Sequence, residues 1–375
     1  MNIAWFTDMA VSGYKHLSVP LCEQLAAAGH KVRVLGLGYK GEEHNFPFSI
    51  IPCGNFNHLF AMVTNLQRMG ELDVLVVGID IPLHGRVMSL FPNRQFKYWG
   101  IFPVESTPLQ KSWANILNQM DEVFVLSEFG KEEIDRHEIK SWYLPIGVDT
   151  QSWRLPLPGE RENLRGSYGI AEDEFVILTV ADNQERKLLS RTAQIIRDFK
   201  EQKKVPVRWL LVTRINLEVG WNIPDLVSDM GLVNETLPIE RGISFKELWS
   251  LYVMADCFLL TSKTEGIGIP AIEAMAVGIP VAETDCTGLR ENMRKGGGFP
   301  IAPEKMEDDH LDPFGNSRRY FASPKDGVRQ LDNIYHKRGT KAQVNQARGY
   351  VETLDWKIGG NLLLRKLEEM ENAQA

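Results

Sequence analysis

Two glutamates and a glycine-bearing turn stand within the segment 261–291, TSKTEGIGIPAIEAMAVGIPVAETDCTGLRE. The turn Glu265–Pro270 follows a predicted strand, Cys257–Leu260, and a predicted helix then runs through Ala271–Val277. Proline suits the first turn of a helix, where its missing N–H costs no hydrogen bond. Free backbone N–H groups near Gly268, together with the helix dipole, make this point a predicted anion site.

The two carboxylates flank that anion site. Glu265 precedes the turn, and Glu273 lies in the first turn of the predicted helix. Each carboxylate can accept hydrogen bonds from neutral hydroxyls, and a ligand with hydroxyls on both sides of its phosphates is a nucleotide-sugar. The alternative is that both glutamates face solvent while Ile272 and Met275 pack the helix. Spacing alone leaves both interpretations open.

A second glycine pattern, Gly36–Gly41 (GLGYKG), matches the dinucleotide-binding fingerprint G-x-G-x-x-G. It follows the second predicted strand rather than the first, and the next residues, 42–47 (EEHNFP), do not open a helix. A pyrophosphate needs a helix N-terminus at that point. We therefore interpret this pattern as a glycine-rich turn.

Strands and helices alternate along the chain and position these residues. Strands are predicted at Asn2–Phe6, Lys31–Leu35, Phe48–Ile51, Asp73–Val77, Lys97–Phe102, Glu122–Ser127, Trp142–Leu144, Phe175–Val180, Val207–Thr213, Cys257–Leu260 and Pro280–Glu283. Such alternation predicts parallel sheets covered by helices on both faces. The pattern breaks at 153–159 (WRLPLPG), as a linker would. The chain is thus predicted to form two Rossmann-like domains, with ligands at the carboxyl ends of the strands.

Composition agrees with a globular protein of two domains. The chain has 375 residues, of which 43% are hydrophobic and 24% are charged, and its net charge is −7. The acidic balance argues against nucleic acid as the main partner. The acidic stretch 304–312 is predicted to be a solvated loop, and His310 within it is not assigned to a metal site.

The cysteines and the N-terminus bear on the compartment. The four cysteines (Cys22, Cys53, Cys257 and Cys286) are scattered, which argues against a zinc site or a disulfide framework. The N-terminus lacks a basic region before its apolar residues, and no apolar run reaches the ~20 residues that span a bilayer. We expect a soluble, cytoplasmic protein with reduced thiols.

The segment that begins at Glu265 resembles the E-x7-E signature of the retaining GT-B glycosyltransferases, especially glycosyltransferase family 4. The family pattern E-G-F-G-L-P-x-x-E-A-M-A-x-G-x-P-V-V-A is represented here by EGIGIPAIEAMAVGIPVA. Similarity extends to Ala28–Val32, Ser127–Gly130, Pro145–Asp149 and Leu248–Ser262.

The resemblance implies an α/β protein of the GT-B class, with two Rossmann-like domains that face each other across a cleft. The predicted acceptor-binding domain is 1–152, the linker 153–165 and the donor-binding domain 166–350. A C-terminal helix within 351–375 is expected to return to the N-terminal domain.

The resemblance also assigns roles to residues at the turn. Glu265 would hold the hydroxyls of the donor sugar, and Glu273 would hold those of the ribose. The backbone amides of Ile267, Gly268 and Ile269 would receive the distal phosphate. In the first domain, Gly13 would let the N-terminal loop approach the phosphates.

The family's phosphate-binding cations are only partly matched. Its V-G-R-x4-K pattern appears here as VADNQERK, so Lys187 matches while Asp182 stands at the arginine position. Arg186 and Arg214 are the candidates to supply the missing positive charge, which must offset the charge that develops on the leaving group. The alternative for Arg186 is a solvated loop cation.

In the first domain, the resemblance makes Glu105 the candidate for contacting the reacting sugar or the acceptor, because family members often place a His or an acid after the strand equivalent to Lys97–Phe102. Asp8 and Tyr14 would line the acceptor side, whereas His16 and His84 are equally well explained as structural. No D-x-D motif stands at a strand end, so the resemblance implies no bridging metal and no further cofactor.

The resulting hypothesis is a retaining, metal-independent glycosyltransferase that moves a hexose-type sugar from a UDP- or GDP-type donor to a hydroxyl acceptor. A glycan or a small molecule is the expected acceptor, and peripheral membrane association stays open. Two alternatives are a nucleotide-sugar 2-epimerase and a non-catalytic nucleotide-sugar-binding protein.

Overall fold

The computed structural model describes residues 1–10, 13–215, 220–309, 317–337 and 340–374. These residues divide into two compact units. The first unit contains 1–147 and 354–374, and the second contains 148–309 and 317–353.

The first unit is built on a parallel sheet of seven strands. Its strands are β1 (Asn2–Asp8), β2 (Lys31–Leu37), β3 (Ser49–Pro52), β4 (Val74–Gly78), β5 (Lys97–Phe102), β6 (Glu122–Val125) and β7 (Trp142–Tyr143), in the order β3-β2-β1-β4-β5-β6-β7. Its helices are α1 (Gly13–Ala27), α2 (Phe56–Arg68), α3 (Ile81–Ser89), α4 (Lys111–Leu117), α5 (Glu128–Asp135) and α14 (Trp356–Gln374). The central strand β4, VLVVG, is buried at every position, as expected for a sheet covered on both faces.

The second unit contains a parallel sheet of six strands and a separate two-stranded hairpin. The sheet has the order β10-β9-β8-β11-β12-β13, with β8 (Phe175–Val180), β9 (Val207–Thr213), β10 (Thr236–Glu240), β11 (Cys257–Leu260), β12 (Val281–Thr284) and β13 (Phe299–Ile301). The helices are α6 (Glu160–Ser167), α7 (Leu189–Lys203), α8 (Ile223–Asp229), α9 (Phe245–Met254), α10 (Ile269–Ala276), α11 (Leu289–Gly296), α12 (Pro324–Lys337) and α13 (Lys341–Glu352).

Every strand predicted from the sequence is present, within two residues of its predicted bounds. Among the strands of the two parallel sheets, β10 and β13 were not predicted from the sequence. In β10 (TLPIE) a proline interrupts the apolar pattern, and proline is tolerated there because β10 is an edge strand.

The prediction of a loop at 304–312 is wrong for its described part, which forms a strand. Residues Pro303–Asp309 (β14) pair antiparallel with Ser317–Ala322 (β15). Opposite charges face each other across this hairpin, with Glu307 opposite Arg319 and Asp308 opposite Arg318, and such pairs stabilise a ladder. His310 lies outside the described residues.

The residues of the predicted linker pack within the second unit. The chain passes from one unit to the other between Gly147 and Val148, upstream of 153–165. The Trp153 side chain is buried and lies edge-on to the Tyr252 ring at a centroid distance of 5.3 Å. The large apolar side chain of Trp153 anchors this segment to the second unit. The prolines and glycine around it predict a linker and do not indicate this anchoring.

The C-terminal helix α14 packs against α1 within the first unit. Gln24 Nε2 donates to the Trp356 carbonyl oxygen at 2.9 Å. Further along the helix, the buried Lys366 ammonium lies 3.7 Å from the centre of the Trp142 ring and 2.6 Å from a Glu369 oxygen.

We expect Lys366→Met to lower the free energy of unfolding by about 2 kcal/mol, because a desolvated cation–π contact and its ion pair are lost. Chemical denaturation of the whole chain measures the change. Lys357→Met, at an exposed lysine on the same helix, is the matched control and should leave stability within about 0.5 kcal/mol of the wild type. Equal effects of the two substitutions would contradict this account of Lys366.

Candidate functional site

The turn after β11 is a buried loop that leads directly into α10. Gly268 adopts the left-handed conformation, with φ of 75°, and caps the helix that begins at Ile269. An added Cβ at Gly268 would lie 2.5 Å from Leu289 Cδ2, so both the backbone angle and the neighbour favour glycine. Among the described residues, the backbone N–H groups of Ile267, Gly268 and Ile269 donate no hydrogen bond. This end of the helix therefore has the free N–H groups predicted near Gly268, and such groups can donate to an anion.

Glu265 is held at the start of this turn by two cations. The Lys187 ammonium forms a hydrogen-bonded ion pair with Oε1, and Arg186 Nη1 lies 2.8 Å from Oε2. Ser262 Oγ also donates to Oε1, at 2.7 Å. Burial by itself would raise the pKa of the Glu265 carboxyl, but the charges of Arg186 and Lys187, with the hydrogen bonds from Lys187 and Ser262, lower it to about 2. Glu265 is therefore an ionised carboxylate that draws both cations to the turn.

The backbone of Glu265 is fixed from the other side by the loop after β12. The Glu265 N–H donates to Thr287 Oγ1 at 3.0 Å, and that hydroxyl donates to the Glu265 carbonyl at 2.8 Å. The Gly288 N–H donates to the same carbonyl at 3.0 Å. Asn292 Nδ2 donates to the Ile267 carbonyl at 2.6 Å. These bonds hold the turn with its free N–H groups in one conformation.

Glu273 lies in the second turn of α10 rather than in the first, because the helix begins at Ile269. Its side chain is 9% exposed, and its Oε2 accepts a hydrogen bond from the Tyr252 hydroxyl at 2.8 Å. Burial raises the pKa of Glu273 to about 7, although the Tyr252 hydrogen bond opposes the rise. The structure thus places Glu273 on the helix that follows the turn, with one oxygen already bonded.

This raised pKa predicts how stability depends on pH. The folded-state pKa of about 7 exceeds the usual 4.5, so unfolding releases a proton in this interval and stability falls as pH rises through it. Above pH 7, the ionised Glu273 should lower the free energy of unfolding by about 3 kcal/mol. Glu273→Gln removes this loss because glutamine does not ionise. Urea denaturation should therefore show that the stability of the variant relative to wild type grows by about this amount from pH 4.5 to pH 8. A constant difference over that interval would contradict the assignment.

Asp182, at the arginine position of the family pattern, is neutralised by arginines of its own. Arg214 Nε lies 2.6 Å from Asp182 Oδ1 while its Nη2 binds Oδ2, and Arg241 Nη1 lies 3.5 Å from Oδ1. Within the described residues, no hydrogen bond or ion pair joins Arg214 to Glu265. Of the two candidates for the missing charge, the structure brings Arg186 to the turn and pairs Arg214 with Asp182.

Candidates of the first unit lie where its strands end. Asp8 ends β1, Tyr14 lies in α1 next to Gly13, and half-buried Glu105 follows β5. The Tyr14 hydroxyl donates to Asp80 Oδ1 at 2.6 Å, and Asp80 comes just after β4. Asp80 was not predicted from the sequence, because Glu105 was chosen by its match to a family position and no such match marks Asp80; its place after the buried strand β4 is the signal that could have found it.

His84 has a structural role. It is completely buried, with Nδ1 2.9 Å from the Tyr98 hydroxyl and Nε2 2.9 Å from the Ile79 carbonyl. Burial lowers the pKa of His84 to about 3, so the ring is neutral at physiological pH.

The described part of the chain shows neither a group of metal-ligating side chains nor a membrane-spanning helix. In that part, no three His, Cys, Asp or Glu side chains are grouped so that they could hold a metal ion. None of the helices described there is both long and apolar enough to cross a bilayer.

Comparison with known proteins relates a segment of the second unit to a known family. Residues 160–310 match the family described as glycosyl transferases group 1, which confirms over that segment the resemblance drawn from the E-x7-E pattern. A GDP-mannose-dependent alpha-(1-6)-phosphatidylinositol monomannoside mannosyltransferase of Mycolicibacterium smegmatis is 30% identical over 53% of this chain and 52% of its own length. The chain thus spans about half the length of this curated relative.

Solved structures share the fold over the whole chain. Sucrose-phosphate synthase from Thermosynechococcus elongatus superposes with a TM-score of 0.77 at 18% identity, covering 100% of this chain and 99% of that one. Anabaena HepE in complex with UDP-glucose gives a TM-score of 0.74 at 15% identity, covering 98% and 99%. These likenesses confirm the predicted α/β, GT-B fold class with two Rossmann-like sheets.

Proposed function

We propose, from the premise that residues 160–310 belong to the group 1 glycosyl transferases, that the chain transfers a sugar from a nucleotide-diphosphate-sugar to a hydroxyl acceptor. The observation that carries the proposal is the Glu265 cluster. An ionised, buried carboxylate stands at a turn with free N–H groups, and both neighbouring cations are paired with it. The second unit would bind the donor, and the first unit would bind the acceptor.

The residues of the Glu265 cluster would contact both parts of the donor, the sugar and the diphosphate. Donor-sugar hydroxyls would donate to Glu265, while the distal phosphate would accept from the N–H groups of Ile267, Gly268 and Ile269. Lys187 and Arg186 would lie between sugar and diphosphate, where their charges offset the phosphates. Asp182 would not oppose that charge, because Arg214 and Arg241 already neutralise it.

In the transfer, the bond between the anomeric carbon and the phosphate oxygen breaks, and the electron pair leaves with the diphosphate. The acceptor oxygen forms the new bond to the anomeric carbon, and its proton passes to the departing phosphate oxygen. Stabilising the negative charge that develops on the leaving group is the main electrostatic requirement of such a step. Preorganised hydrogen-bond donors provide this stabilisation best. We propose that attack takes place on the same face, with retention, and that no metal or additional cofactor takes part.

The donor is proposed to be of the UDP or GDP type, and a hexose is the proposed sugar. The names of similar proteins support both nucleotides, since one relative is GDP-mannose-dependent and one neighbour is bound to UDP-glucose. A glycan or small-molecule hydroxyl is the proposed acceptor. The four cysteines are all buried and unpaired, which supports a reducing compartment, the cytoplasm.

A screen with UDP, GDP, UDP-glucose and GDP-mannose, read by thermal shift and by donor hydrolysis, tests the proposal. We expect one nucleotide to raise the melting temperature and its sugar conjugate to be slowly hydrolysed. Formation of an epimer from donor alone would identify the 2-epimerase instead. Tight binding with neither hydrolysis nor transfer would identify a non-catalytic binding protein, and no binding at all would reject the donor site.

A further inference from the structure

Glu283 is a completely buried glutamate beneath the Gly268 turn. It lies in β12, its side chain is 0% exposed, and neither carboxylate oxygen has a hydrogen-bond partner among the described residues. An added Cβ at Gly268 would lie 3.3 Å from Glu283 Oε1, which places the carboxyl directly under the glycine that caps α10. The Asn292 amide donates to the Ile267 carbonyl at 2.6 Å, and it lies near enough to Glu283 to lower the pKa of that carboxyl. A buried polar group without a partner is costly, so its presence calls for an explanation.

The position of Glu283 also departs from the pattern that this segment resembles. Aligned from Glu265 without a gap, the last of the 19 positions of E-G-F-G-L-P-x-x-E-A-M-A-x-G-x-P-V-V-A falls on residue 283, one residue past Ala282, where EGIGIPAIEAMAVGIPVA ends. The pattern has alanine there, whereas this chain has an ionisable side chain. The role of Glu283 is therefore specific to this chain and is not part of the general signature.

Charged and titratable groups face Glu283 from several elements. Glu265 precedes the turn above it, Lys187 stands before α7, Tyr252 lies in α9, and Cys286 follows β12. Burial raises the pKa of Glu283 well above its usual range, and the Glu265 charge raises it further, while the Lys187 charge and the Asn292 amide oppose the rise. The group is thus favoured as a neutral acid next to an ionised one.

We propose that Glu283 is a positioning residue of the donor site, which supports the Gly268 turn as a neutral carboxyl and weakens diphosphate binding when it ionises. The inference rests on the proposed function, because it takes the diphosphate of the donor as the ligand. Lys187 and Arg186 already offset the charge of Glu265, and a diphosphate adds further negative charge. With the diphosphate bound, Glu265 and the phosphates already carry more negative charge than the two cations offset, so an ionised Glu283 would add to that excess.

The sign of the pH dependence follows from this arrangement. A bound diphosphate raises the pKa of Glu283 further, so the protonated form of the protein binds it more tightly. Affinity is then highest at low pH and falls as pH rises through the ionisation of the free protein. The decline reaches at most about tenfold per pH unit for a single group.

Calorimetric titration of the whole chain with UDP and with GDP, at about pH 6 and about pH 9, tests the inference on wild type, Glu283→Gln and Glu283→Ala. Because the nucleotides themselves titrate, the quantity compared is the ratio of variant to wild-type affinity. The nucleotide affinity of Glu283→Gln should be within about twofold of wild type at the lower pH. At the higher pH this variant should bind about tenfold more tightly than wild type. Glu283→Ala should bind each nucleotide about tenfold more weakly than wild type at the lower pH, because the cavity left by the carboxyl removes the support of the turn.

A glutamine-to-wild-type ratio that is the same at both pH values would overturn the inference, as would alanine binding as tightly as wild type at the lower pH. Glu133→Gln, at another buried glutamate but in the first unit, is the matched control and should keep a ratio near one throughout. If wild type binds neither nucleotide, the proposed function itself fails. Nucleotide binding with unchanged ratios rejects only the role of Glu283.

Discussion

Lys187→Ala is expected to lower kcat/KM for sugar transfer by about 100- to 1000-fold, the usual effect of removing one preorganised group that stabilises developing negative charge. The Lys187 ammonium is only 14% exposed and pairs with Glu265, so bulk ions cannot easily replace it. Its removal should also raise the pKa of Glu265, because one of the two cations that hold this carboxyl ionised is lost. Steady-state kinetics with the donor found in the nucleotide screen measures the effect.

Lys203→Ala is the matched control, since Lys203 Nζ also pairs with a carboxylate, Asp332, at 2.7 Å but outside the site. Its kcat/KM should stay within about twofold of wild type. Arg186→Ala should reduce transfer more than Arg214→Ala, because Arg186 pairs with Glu265 and Arg214 with Asp182. If Lys187→Ala abolishes transfer while both arginine variants keep normal activity, the idea that an arginine supplies the missing phosphate-binding charge is wrong.

Gly288→Ala is expected to disrupt the site through the backbone. The added Cβ would lie 1.9 Å from the Gly266 carbonyl oxygen and 3.0 Å from that of Glu265, and no side-chain rotation relieves either contact. The turn must move, at a cost of about 2–3 kcal/mol in folding free energy. Donor affinity should fall at least about tenfold, since the N–H groups of the turn move with it. Thermal melting and nucleotide titration together measure both losses.

Gly166→Ala separates this steric effect from the general effect of replacing a glycine. Gly166 lies in α6, and an added Cβ would have no atom within 4 Å. Alanine there should leave donor affinity unchanged and stabilise the helix by up to about 1 kcal/mol. Wild-type stability and wild-type nucleotide affinity in the Gly288→Ala protein would contradict the prediction, because the turn would then tolerate displacement.

Local pattern was enough to predict the turn at the centre of the candidate site. The strand Cys257–Leu260, the glycine turn and the helix that follows are adjacent in sequence, so their order alone places Glu265 and Gly268 at a helix N-terminus. The pairing of Lys187 with Glu265 required the family pattern, because 78 residues separate the two side chains.

Contacts that depend on strand order could not be predicted from the sequence. Arg214 meets Asp182 because β8 and β9 are neighbours in the sheet, so that both strands end at the same edge. Tyr252 reaches Glu273 from a different helix. Glu283 is the third residue of the short strand β12 (VAET), and the local sequence does not indicate that its side chain is buried beneath the turn.

The location of the diphosphate in a crystal structure of the whole chain with its nucleotide-sugar donor tests the central claim most directly. We predict that the distal phosphate accepts hydrogen bonds from the backbone N–H groups of Ile267–Ile269 and lies against the Lys187 ammonium. The sugar hydroxyls should then donate to Glu265. A diphosphate bound elsewhere on the chain, with the turn at Gly268 unoccupied, would contradict the account.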